Sequence, residues 1–102
     1  TDDAALTGAL RRTEYAQPAI GALAAGQYAV LRSFGLAPTG FLGHSYGELT
    51  ALWAAGALSD DGFHALSRAR GRAMAPPEDP DYDPGTMAAV SASREVVEEV
   101  LT

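Results

Sequence analysis

Ser45 stands in Gly43-His44-Ser45-Tyr46-Gly47, a serine with a glycine two positions to either side. That is the spacing of a nucleophile elbow, in which the backbone turns sharply from strand to helix and Cβ atoms at the flanking positions would clash. Such a turn pushes the hydroxyl outward. It also aims the first N–H groups of the following helix at whatever the serine attacks. An ordinary Gly-Ser turn is the alternative. A serine hydroxyl is a weak nucleophile without a base to take its proton. His44 is adjacent in sequence, and neighbouring side chains in an elbow point in different directions. His44 is therefore expected to support the turn, packing beside it and bonding local backbone. His64 reads as a surface residue, and there are only two histidines. The base is predicted to lie outside this chain.

Arg70 is the second chemical signal. Phe63, Leu66, Ala73 and Met74 make an apolar stripe at helical spacing, and Arg70 falls in its middle. A guanidinium on a buried face needs a carboxylate or several carbonyls. A structural ion pair would satisfy it, and so would bidentate capture of a substrate carboxylate near Ser45. Periodicity does not choose between them. Gln17, before Pro18, suits a local hydrogen bond at a helix start. Glu48 suits the positive end of the helix after the elbow. The acids of residues 78–83 lack calcium-loop spacing and lie among prolines. No metal site is expected, and the aromatic residues read as packing.

The elements that must position these residues follow from the pattern. A short helix is expected around Ala4–Arg12. A longer one starts with Pro18 at its first position and runs to Phe34, with Ile20, Leu23, Ala24, Leu31 and Phe34 on one stripe and Gln27 within it. Gly40-Phe41-Leu42 reads as a short strand, and Glu48–Ala55 as a helix ended by Gly56. Ser59 caps a helix reaching about Ala75. Residues 76–85 hold four prolines and four acids, a solvated linker. Thr86–Val90 reads as a strand, and Ser93 caps a last helix. This order indicates an α/β fold.

Bulk properties bound the rest. The chain has 102 residues, 47% hydrophobic and 20% charged, with net charge −6 and no cysteine. It has enough length for one small domain, and no disulfide framework or thiol nucleophile. The basic residues are seven scattered arginines, which argues against a nucleic-acid surface. No apolar run approaches a membrane span, so a cytoplasmic setting is the default. A start at Thr1 and a stop at Thr102 inside an apparent helix predict a segment of a larger protein.

Several motifs in order carry a resemblance. They are Thr13-Glu14-Tyr15-Ala16-Gln17-Pro18-Ala19-Ile20, Gly43-His44-Ser45-Tyr46-Gly47-Glu48, Ala54-Ala55-Gly56-Ala57-Leu58-Ser59, Ala69-Arg70-Gly71-Arg72-Ala73-Met74 and Gly85-Thr86-Met87-Ala88-Ala89-Val90. Together they resemble the malonyl-CoA:acyl carrier protein acyltransferases of fatty acid and polyketide synthases. The wording from Gly47 to Gly56 looks like the iterative polyunsaturated fatty acid and enediyne type. The resemblance implies that Ser45 takes an acyl group from a coenzyme A thioester and passes it to the phosphopantetheine thiol of an acyl carrier protein. It implies the Tyr46 backbone N–H as one oxyanion donor, Arg70 as the partner of the malonyl carboxylate, and Gln17 near the mouth of the site. The family's histidine and second oxyanion donor would lie outside this chain. No resident cofactor is implied. Tyr46 is bulkier than the residue many members carry, which leaves the acyl preference open.

The implied fold is an α/β-hydrolase-like subdomain with a smaller ferredoxin-like one. Residues 1–75 would belong to the first, 76–85 to the linker and 86–102 to the start of the second. Partners would be acyl-CoA, the carrier protein and the rest of the synthase, with no nucleic acid and no membrane. Two other readings share features of the sequence: an α/β-hydrolase esterase or thioesterase, which shares the elbow, and a non-catalytic docking segment. A hydrolase of neutral esters has no use for a buried cation near its serine.

Overall fold

The computed structural model describes residues 3–102. Five helices follow one another: α1 Asp3–Leu10, α2 Thr13–Ser33, α3 Gly47–Ala54, α4 Asp60–Met74 and α5 Arg94–Leu101. Local chemistry explains most boundaries. Ser59 is extended and its Oγ accepts the Gly62 N–H at 3.1 Å, which caps α4. After α2 and α3 the chain turns left-handed at Gly35 (φ 94°) and Gly56 (φ 83°). At each stop two N–H groups reach back to orphan carbonyls: Gly35 to Arg32 and Leu36 to Leu31, Gly56 to Trp53 and Ala57 to Leu52.

Pro18 does not open α2. The helix begins at Thr13, with Arg12 extended as its cap, and Pro18 lies inside it. The ring leaves the Glu14 carbonyl without its helical donor. α4 packs against this stretch, since a Cβ on Gly71 would lie 3.0 Å from Glu14 Cα and 3.1 Å from the Thr13 oxygen.

α2 and α4 form the main seam, and α3 packs on both. The seam is antiparallel: Thr13 and Glu14 meet Gly71, Gln17 meets Arg70, and Gly21 meets Phe63. Its buried positions are Gln17 and Gly21 on α2, and Phe63, Ser67 and Gly71 on α4. These differ from the expected stripes. Ile20, Leu23 and Leu31 are exposed on α2, Phe34 just past its end, and Leu66, Ala73 and Met74 on α4. Two helices that come this close select small residues for the contact, whatever the hydrophobicity of the neighbouring stripe.

Aromatic rings close one end of the seam. Trp53 stacks on Phe63 at 5.4 Å between centroids, and Tyr28 stands edge-on to Trp53 at 5.9 Å and to Phe41 at 5.6 Å. The Trp53 Nε1–H donates to Asp60 Oδ1 at 2.7 Å, tying α3 to the start of α4.

The two expected strands do not form among the described residues. Residues 40–42 and 86–90 carry no ladder, because neither meets a partner edge for its N–H and C=O groups. The described residues are thus helical and irregular. That is compatible with the α/β family expected but lacks its sheet. Residues 76–85 are irregular, with Asp79 and Asp83 each accepting a backbone N–H two residues on. α5 packs on none of the other helices.

Candidate active site

The elbow forms where the glycine spacing puts it. Ser45 has φ 55°, the one non-glycine residue in the left-handed region among those described. That conformation is costly for a residue with a Cβ, and is typical of strained functional turns. The turn is held by Gly47 N–H to the His44 carbonyl at 3.0 Å and Glu48 N–H to the Ser45 carbonyl at 3.2 Å. The two glycines are not equivalent. A Cβ on Gly43 would collide with the Gly47 carbonyl, whereas one on Gly47 meets nothing within 4 Å. The Tyr46 N–H, first after Ser45, bonds to no described residue.

Arg70 reaches this turn from α4, 25 residues away. Its Nη2 donates to Ser45 Oγ at 3.2 Å. Its Nη1 donates to Gln17 Oε1 at 2.7 Å. Gln17 is buried, and its Nε2 donates to Thr13 Oγ1 at 2.8 Å and meets Met74 Sδ at 3.5 Å. The glutamine is therefore fixed by its own helix and holds the arginine in place. It makes the expected local bond and a second, long-range one. A guanidinium has five N–H groups, and these contacts use two.

The ion pairs among the described residues are Arg12–Glu14 and Arg94–Glu98. Arg70 has no carboxylate partner among the described residues. A half-buried cation with donors to spare, beside an exposed serine, suits a small anion.

His44 contributes its carbonyl to the turn, but the residue is exposed and its ring makes no hydrogen bond among the described residues. The expected packing of that ring is absent. His64 is exposed, 5.3 Å between centroids from Phe63. Neither histidine bonds to Ser45. Glu48 lies in the first turn of α3, as its charge predicts. Among the described residues no three acids or histidines converge on a metal position, and no helix is long and apolar enough to cross a membrane.

Sequence reasoning missed two polar residues packed around the site. Thr13 orients Gln17 through its hydroxyl. Ser67 is buried against Tyr46, its Oγ 2.7 Å from the tyrosine hydroxyl. The signal for Ser67 was present as Phe63, Ser67 and Gly71, one residue per turn, narrowing toward the end of α4.

Comparisons with known proteins give the chain a family. Residues 3–101 match the family described as acyl transferase domain. The chain is 43% identical over 101 residues (98% of its length) to a phenolphthiocerol synthesis type I polyketide synthase of Mycobacterium marinum. It is 42% identical over 94 residues, 91% of its length, to mycoketide-CoA synthase of Mycobacterium tuberculosis. To one component of the polyunsaturated fatty acid synthase of a Thraustochytrium species it is 38% identical over 78 residues, 76% of its length. It spans only 4%, 2% and 3% of those proteins, respectively. No solved structure matches it significantly.

Proposed function

We propose that this chain, which belongs to the acyl transferase domain family, is the nucleophile-bearing part of a domain that moves malonyl or a related acyl group from coenzyme A to an acyl carrier protein. Ser45 Oγ attacks the thioester carbonyl. Its proton passes to a base supplied from outside the described residues and then to the departing coenzyme A thiolate. The phosphopantetheine thiol next loses its proton to the same base and attacks the acyl-serine, and Ser45 regains its hydrogen. The Tyr46 N–H takes part of the oxyanion charge. Neither half-reaction calls for a resident cofactor.

The observation that carries this reading is the line from Gln17 through Arg70 to Ser45. In a malonyl thioester the carboxylate lies two bonds from the carbonyl under attack. Its counter-charge must therefore sit within a side chain's breadth of the nucleophile, where Arg70 stands. An arginine donor also leaves the serine proton free for a base. A hydrolase of neutral esters gains nothing from this cation, and a docking segment gains nothing from the strain at Ser45.

The parent fold in this reading is α/β. Residues 1–75 belong to its hydrolase-like subdomain, 76–85 to a linker and 86–102 to the start of a ferredoxin-like subdomain. The missing sheet partners for residues 40–42 and 86–90 come from the rest of that domain. The setting is a cytoplasmic synthase making polyketides or polyunsaturated fatty acids, as the relatives do by name.

The test compares malonyl and acetyl transfer in the intact acyltransferase domain. Arg70→Ala leaves the malonyl carboxylate without a counter-charge, at a cost of about 3–5 kcal/mol. Its kcat/KM for malonyl-CoA falls by roughly two to four decades. Acetyl transfer, with no carboxylate to lose, stays level or rises. Ser45→Ala in the same assay abolishes the acyl-enzyme seen by mass spectrometry. An unchanged malonyl-to-acetyl ratio in folded Arg70→Ala, or an adduct on another residue, overturns the reading.

A further inference from the structure

Tyr46 follows the nucleophile, and its side chain does not join Ser45 and Arg70. It enters the α2–α4 seam one turn away from them. Its hydroxyl lies 2.7 Å from Ser67 Oγ, and Ser67 is only 1% exposed. The ring end fills the space over Gly21, where a Cβ would collide with the hydroxyl and lie 3.1 Å from the Phe63 ring. Ser67 precedes Arg70 by three residues on α4, and Gly21 follows Gln17 by four on α2. The elbow thus meets the seam at two successive levels. At one, Ser45 meets Arg70 and Gln17. At the other, Tyr46 meets Ser67 above Gly21.

The first level hangs on a long arginine side chain. The second joins a short serine to a ring rooted in the turn itself, and it is the stiffer of the two. We infer that the Tyr46–Ser67 hydrogen bond is a positioning contact. It holds α4 at the register in which Arg70 reaches Ser45, so that Tyr46 and Ser67 act on carboxylate capture through α4 without touching the substrate. The bulk of Tyr46 is taken up by Gly21 and Ser67, not by the acyl site.

This inference rests on the carboxylate-capture role of Arg70, and the experiment separates the two. In the intact domain, Ser67→Ala removes one oxygen and leaves the tyrosine hydroxyl unpaired in the seam. Its kcat/KM for malonyl-CoA falls about tenfold, while acetyl-CoA changes less than about twofold. Tyr46→Phe lowers the malonyl-to-acetyl ratio to a similar degree. The double variant falls no further than either single, because both delete the same contact. Arg70→Ala, measured alongside, must collapse the ratio.

If Arg70→Ala leaves the ratio unchanged, the underlying reading fails and this inference falls with it. If Arg70→Ala collapses the ratio while a cooperatively melting Ser67→Ala keeps it, only the present inference is overturned. Equal losses for both acyl groups, or additive losses in the double variant, also overturn it, since they mark a structural role or two separate ones.

Discussion

Gln17 is the acceptor that holds Arg70, and that makes its chemistry sensitive to one atom. Gln17→Leu deprives the guanidinium of its 2.7 Å partner, and malonyl transfer should fall about tenfold, less than in Arg70→Ala. Gln17→Glu is predicted to be worse despite its shape. A carboxylate at that distance pairs with the guanidinium and competes with the malonyl carboxylate. The malonyl-to-acetyl ratio of the two variants checks this, and a Gln17→Glu enzyme as selective as the parent would refute it. Ser45 and Arg70 were legible in the sequence because their signals are local, a glycine spacing and a charge among apolar residues. The link between Gln17 and Arg70 was not, since 53 residues separate them and only the packing of two helices brings them together. The polar partners Thr13 and Ser67 were hidden for the same reason.

The helices were more legible than their contacts. Caps, glycine stops and periodicity marked α3 and α4 to within a residue or so, because those signals act within one turn. The buried faces were misjudged, since the seam is chosen by how close two backbones come. Gly71 measures that closeness. Gly71→Ala would place a methyl 3.0 Å from Glu14 Cα, and neither backbone can yield without shifting a helix. The intact domain should lose about 1–3 kcal/mol in urea unfolding, and unchanged stability would show that the helices can part. The strands were over-read for a deeper reason. An extended segment becomes a strand only when another edge meets it, and nothing within residues 40–42 or 86–90 names that edge.

As a whole the described chain is open. Its radius of gyration is 18.0 Å, against about 13 Å for a compact domain of this length. Phe63 is the only buried hydrophobic residue among those described, while Leu23, Phe34, Leu42 and Met87 stand exposed. Residues 1–102 alone are therefore predicted to melt without cooperativity, to bind a hydrophobic dye, and to transfer no malonyl group. Circular dichroism and dye fluorescence on the purified segment check this, and a sharp melt with turnover near that of the intact domain would disprove it. The seam has a further consequence for recombination between such chains. Gln17 and Gly21 come from α2, Tyr46 from the elbow, and Ser67 and Arg70 from α4. A crossover between Gly35 and Gly40 would unite halves never fitted to each other, even with every catalytic residue retained. A crossover within residues 76–85 would leave the seam whole. The stretch from Thr13 to Met74 is thus the smallest block that can be exchanged with this seam intact.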